Sequence, residues 1–326
     1  MTRKFVLILS LLTLTLIGVG QSPSPAPASP DAPAAVLTSC RGSVMVTRAG
    51  RAATVATFGL ALNDGDEVRT GADAEAEIMF AAGNWVSVGP SSSMRIKGHA
   101  GAKQPAPDSR NFEVVSNFIR LESSEGTSMV GGLRSGDKAS ALVPVAPVQT
   151  KVRDARPTFV WKIDDPSLEL RFTIYNESGV HWQSDITEAA FPSSRQGHAA
   201  LAYPTDAPAL TPGVSYSWTL ETSDPLVSPP LRTTAAFFEV IAPDDVAALE
   251  KELAAIEEKK PGEVTYRLMR ASLFFDRGLM ADAIGETETA VATDPENGSL
   301  HAILGRLYAE AGRTHEAIQE MQKSQK

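Results

Sequence analysis

Residues 264–297 read VTYRLMRASLFFDRGLMADAIGETETAVATDPEN, and residues 298–326 read GSLHAILGRLYAEAGRTHEAIQEMQKSQK. Laid over one another, the two stretches agree at a constant offset of 34 positions. Ala271 falls on Gly305, Phe274 on Tyr308, Gly278 on Gly312, Ala283 on Ala317, Ile284 on Ile318 and Glu286 on Glu320, while Pro261 falls on Pro295. Small residues at matched positions let two helix axes approach, and an aromatic residue fills the next layer. Gly278 and Gly312 stand where the first helix of each unit has to stop and turn. A period of this length marks a helix-turn-helix repeat. The spacing therefore predicts two helical hairpins, at 264–297 and 298–326.

These positions resemble the tetratricopeptide repeat. That family presents a binding surface and performs no chemistry, so the resemblance implies a protein-binding module. Its inner groove is lined by exposed residues of each first helix. Carried over residue by residue, these are Leu268, Ser272 and Phe275 in one unit and Ala302, Arg306 and Ala309 in the next. The lining lacks the Lys and Asn clamp that grips a C-terminal carboxylate. It suits a mixed apolar segment such as a helix lying in the groove. His301 sits where the family has an aromatic residue and is expected to pack inside. Upstream, Pro243-Asp244-Asp245 starts a helix whose apolar face is Leu249, Leu253 and Ile256. It stands in for a second repeat helix without its first and caps the array. Two and a half repeats bury too little by themselves, so the repeats are expected to dock on a neighbouring domain or a second copy.

The whole chain has 326 residues, room for two or three domains. Its net charge of −9 is uneven, because residues 243–326 hold 16 acidic against 10 basic side chains. No basic cluster exists to neutralise phosphates, which argues against a nucleic-acid partner. Arg3 and Lys4 precede an apolar run from Phe5 to Val19. That run is short of the roughly 20 residues of a membrane span and reads as a secretory signal cut before Gln21, over 1–20. An uncleaved anchor is the alternative. Residues 21–35, QSPSPAPASPDAPAA, form a proline-rich linker. Cys40 is the single cysteine, so an intramolecular disulfide is excluded. Leu37-Thr38-Ser39-Cys40 matches a lipobox but lies far from the apolar segment, and a half-buried strand residue is the competing reading.

From residue 36 to 143 the pattern has period two. Val44 and Val46, Ile78 and Phe80, Val86 and Val88, and Met94 and Ile96 alternate with polar or small residues, between turns at Asn63–Asp66, Ala82–Asn84 and Gly89–Ser91. This predicts an all-β domain. The stretches GSVMVTRAG at 42–50 and LNDGDEVRTGADAEAEIMFAAGNWVSVGPSSSMRI at 62–96 resemble the FecR domain. Phe112–Val115 and Phe118–Leu121 are expected as its returning strands. Founding members of that family pass a siderophore signal across a membrane to a sigma factor. Only four residues precede the apolar segment here, so what carries over is an exported envelope module. Asp64, Asp66 and Glu67 fail the EF-hand spacing and read as turn residues.

A second β region covers 144–242, with strand-like runs at Phe159–Ile163, Leu168–Tyr175, Ala199–Tyr203, Tyr216–Leu220 and Phe237–Ile241. Asn176–Gly179 forms a hairpin turn. PTFVWKI and LTPGVSYSWTLET are similar to fibronectin type III or immunoglobulin-like sandwich modules, which implies Trp161, Tyr216 and Trp218 in a core between two sheets. A sugar-stacking role for these three is the alternative.

None of the five histidines has metal or catalytic spacing, and no G-x-S-x-G, H-E-x-x-H or P-loop pattern occurs. No catalytic, cofactor or metal residue is expected. The expected fold is multidomain: a β domain, a β-sandwich, then all-α repeats over 243–326. The expected function is an exported, non-enzymatic scaffold of periplasm or cell envelope, with a protein partner on the repeats and cell-wall material as a further partner. The rivals are a membrane-anchored signalling regulator and a polysaccharide binder using Trp85 or Trp182 on exposed loops.

Overall fold

The computed structural model describes residues 33–97, 109–121, 142–186 and 198–325, apart from 49, 83, 166, 224–228 and 260. The signal segment 1–20 and linker positions 21–32 lie outside the described residues. Eight strands open the chain: β1 (Ala35–Arg41), β2 (Val44–Thr47), β3 (Thr54–Val55), β4 (Ala61–Leu62), β5 (Glu67–Thr70), β6 (Glu75–Phe80), β7 (Trp85–Val88) and β8 (Ser93–Arg95). They make two antiparallel four-stranded sheets, ordered β4-β1-β6-β7 and β3-β2-β5-β8. Leu37, Val44, Val46, Val68, Ile78 and Ile96 fill the core between them. The other face of β1 and β6 is apolar too, and there Val36 and Met79 join the core of the helices. The Asn63–Asp66 turn is closed by its own chemistry, with the Asn63 amide donating to Asp66 Oδ2 at 2.9 Å.

The expected returning strands are a helix instead. α1 (Ser109–Ile119) carries Phe112, Val115, Phe118 and Ile119, all buried, on one side. The intervals 3, 3 and 1 place these four on a helical stripe. β-branched and aromatic residues in the same stretch favour strands locally, but the apolar partner that α1 meets is another helix.

The second β region begins at Leu142, two residues before the expected boundary. Its strands are β9 (Leu142–Ala146), β10 (Thr150–Val152), β11 (Thr158–Ile163), β12 (Leu170–Asn176), β13 (Gly179–Ile186), β14 (His198–Ala202), β15 (Ser215–Thr222) and β16 (Ala236–Val240). They form a sandwich of a five-stranded sheet, β10-β16-β15-β12-β13, and a three-stranded sheet, β14-β11-β9. Phe159 is its aromatic hub, meeting Phe172, Tyr203, Trp218 and Phe238 with centroids 4.8–6.2 Å apart. Trp161 and Trp218 are fully buried, and the Trp218 indole donates to the Pro147 carbonyl at 2.8 Å. These rings are core, as the packing reading had it, and none is free to stack on a sugar.

Five helices follow: α2 (Pro243–Lys259), α3 (Glu263–Asp276), α4 (Met280–Thr293), α5 (Gly298–Glu310) and α6 (Thr314–Lys323). α3 with α4 and α5 with α6 are antiparallel hairpins. Gly278 and Gly312 turn them with φ of +74° and +76°, a region that side chains other than glycine occupy at a cost. α2 lays Leu249, Leu253 and Ile256 into the shared core. The layout is thus β, then α, with the helices docked on both β regions.

Candidate functional site

The expected groove begins on α3, and the chain itself fills that end. Leu268 and Ser272 are buried, and the Ser272 hydroxyl donates to the Met269 carbonyl at 2.8 Å. Phe275 packs edge-on against Phe118 of α1, with centroids 5.6 Å apart. The outer face of β1 and β6 covers the start of the same helix. There Thr265 Oγ1 donates to Thr38 Oγ1 at 3.0 Å and the Gly262 amide donates to Glu77 Oε1 at 2.8 Å. These three positions therefore do not line an open groove. The physical reason is burial: a lining of Leu, Ser and Phe is too apolar to stay wet, and α1 supplies a complementary stripe.

The second hairpin differs. Ala302, Arg306 and Ala309 are half-buried. Arg306 Nε donates to Glu310 one turn on, at 3.4 Å, an exposed pair that contributes little. Its last helix leaves Ile318 and Met321 exposed.

A paired acid and base recurs inside both hairpins. Glu286 on α4 accepts from Arg267 at 3.0 Å and from Arg270 at 2.8 Å. One period later, Glu320 on α6 meets His301 Nδ1 at 2.5 Å and Lys323 Nζ at 2.7 Å. Burial opposes the charge on Glu320, but Lys323 and His301 outweigh it and hold its carboxyl below the usual range. His301 is buried, as expected, and its Nε2 lies 2.9 Å from the Pro295 carbonyl. Tyr308 donates to Glu288 at 2.5 Å, and burial, reinforced by that carboxylate, pushes its phenol well above the ordinary value.

The turn of the first hairpin is keyed into the sandwich. Thr150 Oγ1 donates to the Gly278 carbonyl at 3.2 Å and accepts from the Met280 amide at 3.0 Å. Arg153, beside them, bridges Asp282 at 2.7 Å and Glu250 at 3.1 Å while lying over the Phe274 ring. A cavity of about 250 Å³ separates β9 from α4 and the α5–α6 turn, walled by Val145, Val148, Val160, Met280 and Ile284.

Other candidate groups take structural places. Cys40 lies in β1, where burial and then the charge of Asp294 push its thiol above the ordinary value, the reverse of an activated nucleophile. Lipidation there would follow cleavage at its own N-terminal side and remove Ala35 and Leu37 from the core. Trp85 and Trp182 are strand residues, not loop residues. Lys259 Nζ sits 5.6 Å above Trp85, and Trp182 packs against Phe172 and Tyr203. Among the described residues, no three His, Cys, Asp or Glu groups converge as a metal site. Among them, too, no helix is long and apolar enough to cross a membrane.

A multidomain chain of β modules with a C-terminal helical region is the class that this architecture defines. Residues 130–321 match the family model described as Domain of Unknown Function (DUF928), and the chain belongs to that family. The match takes in the sandwich and α2–α6, ending within α6, and leaves out β1–β8 and α1. No curated protein matches the chain. A solved multi-domain immunophilin from Arabidopsis thaliana is similar at 12% identity over 56% of this chain and 100% of that one, with a TM-score of 0.15, which carries no argument about fold or function.

Proposed function

We propose that the chain is an exported, non-enzymatic scaffold of the cell envelope. In this reading the FecR-like module, β1–β8, contacts envelope components, and tetratricopeptide-type hairpins recruit a protein partner through their second unit. The observation that carries the reading is the contrast within the helical region. The first hairpin is fastened to both β regions by Thr150, Arg153, Thr265 and Gly262, and its Leu268 and Ser272 are buried, whereas their counterparts Ala302 and Arg306 on α5 are half-buried. One hairpin anchors and the next presents.

Deleting the helices would uncover Val36 and Met79, so the test uses the intact chain. In-cell crosslinking is performed with the wild type and with Arg306→Glu and Ala302→Arg. A partner captured by the wild type and lost from both variants at unchanged thermal stability supports recruitment by α5. Capture that is indifferent to both substitutions overturns it. Among the alternatives, a membrane-anchored signalling regulator requires retention of residues 1–20. Mass spectrometry finding Gln21 as the mature N-terminus eliminates that alternative.

A further inference from the structure

The solvent face of the five-stranded sheet carries a cross-strand row that the scaffold reading leaves unused. Tyr175 on β12 lies opposite Ser217 on β15, and Ser217 lies opposite Phe237 on β16. Their chain neighbours Ile174, Tyr216, Trp218, Ala236 and Phe238 are buried in the sandwich core. Strand alternation therefore turns Tyr175, Ser217 and Phe237 outward. Phe237 is 53% exposed, and Val180, paired with Tyr175, is 61% exposed. Tyr175 and Ser217 between them are half-buried, so the four make one contiguous strip across the sheet rather than isolated exposed residues. Tyr175 and Phe237 are two strands apart, about 10 Å, and the serine between them leaves a shallow trough.

Polar groups border the row at its Phe237 end. A cleft of about 350 Å³ there is lined by Gln149, Lys151, Ser215, Phe237 and Glu239. Lys151 Nζ lies 3.5 Å from Glu239 Oε1, so the cleft offers donors and acceptors with its charge balanced. Gln149 holds a left-handed backbone, φ 49°, a strained conformation of the kind found at ligand sites. Farther along the same face, Gln183 donates to Thr173 at 3.1 Å and Arg171 is paired with Asp185 at 2.8 Å. Glu221 of β15, on the same face, meets Arg232 at 3.8 Å, so these charged side chains fall in opposite-sign pairs.

We propose that this row and its cleft bind an extended, neutral, β-linked glycan. A sugar ring has an apolar C–H face that stacks on an aromatic ring and a rim of hydroxyls that both donate and accept. Phe237 and Tyr175 supply the faces, at a separation suited to alternate sugars of an extended chain. Gln149, Lys151, Ser215 and Glu239 supply the rim. Balanced charge disfavours a polyanion. A protein hot spot would need a deep, fully desolvated pocket, which a trough over Ser217 does not provide. The assignment is independent of the hairpin surface.

The test is calorimetric titration of the full chain with cellohexaose and with chitohexaose, with α-linked maltohexaose for comparison. Binding of a β-linked probe is expected, weakened about tenfold or more by Phe237→Ala and by Tyr175→Ala, and kept by Phe237→Trp. Phe237 is exposed, so its variants retain the wild-type unfolding midpoint. Absence of binding by both β-linked probes at millimolar concentration overturns the proposal, as does binding that both alanine variants leave unchanged. Capture of a protein through Phe237 that free oligosaccharide does not compete makes the row a protein site and overturns it equally. Arg306→Glu leaves the titration unaltered, which separates this outcome from that of the scaffold test.

Discussion

The two hairpins share one spacing and live in different surroundings. Leu268, Ser272 and Phe275 of the first become Ala302, Arg306 and Ala309 of the second, each 34 residues on. Leu268 and Ser272 of the first set are buried and Phe275 is half-buried against Phe118 of α1, whereas all three of the second set are half-buried. The interior acid shows the same divergence. Glu286 is held by two arginines, whereas its counterpart Glu320 is held by a histidine and a lysine. The difference teaches that a repeat specifies a backbone, while the neighbours of each copy select the side chains that finish it.

The comparison breaks most sharply at the α1 contact. Phe118→Ala removes the ring that meets Phe275 and is expected to cost about 3–5 kcal/mol of unfolding free energy, read by urea denaturation. A cost below about 1 kcal/mol would mean that α1 does not complete the first hairpin. Leu268→Ala makes the first hairpin like the second and is expected to cost about 2–5 kcal/mol. The reciprocal Ala302→Leu should stay within about 0.5 kcal/mol of wild type, and an equal effect at both positions would erase the contrast.

A smaller effect is expected where α5 crosses α6. A Cβ on Gly305 would lie 3.1 Å from Met321 Cγ and 3.2 Å from the Ala317 carbonyl oxygen. Ala271 already carries that methyl in the first hairpin. Gly305→Ala gains helix propensity but crowds the crossing, for a net loss of about 1 kcal/mol. A rise in the thermal midpoint would show that the second hairpin relaxes freely.

The smallest effect is a pH dependence. The folded-state pKa of Glu320 is depressed, so its contribution is fully present above the unfolded value and is lost as pH falls through the folded one. Glu320→Gln should lower stability at neutral pH and flatten that acid-side loss. Identical acid profiles for the variant and the wild type would remove Glu320 from the account.

Much of this organisation was legible in the residues. The 34-residue offset predicts both hairpins, and Gly278 and Gly312 have the positive φ that their place in the repeat requires. Asn176–Gly179 turns β12 into β13, with the Ser178 amide donating to Asn176 Oδ1 at 2.9 Å. α1 was not legible as a helix. Phe112–Leu121 holds β-branched and aromatic residues that read equally well as short strands, and only the facing α3 selects the helical stripe. The covering of Leu268, Ser272 and Phe275 was hidden for a related reason, since the segments that cover them lie far upstream. The exposed row of Tyr175, Ser217 and Phe237 needed the registers of β12, β15 and β16, which no local pattern contains.

The residues alone therefore determine the β-then-α order, the helical period and the turns, because each follows from local conformational preference and apolar spacing. The tertiary structure decides which apolar faces are closed and which remain open. Burial is a pairwise property: Leu268 is core because its helix α3 packs under α1 and β1 in one shared cluster, and Phe237 is surface because nothing among the described residues buries it.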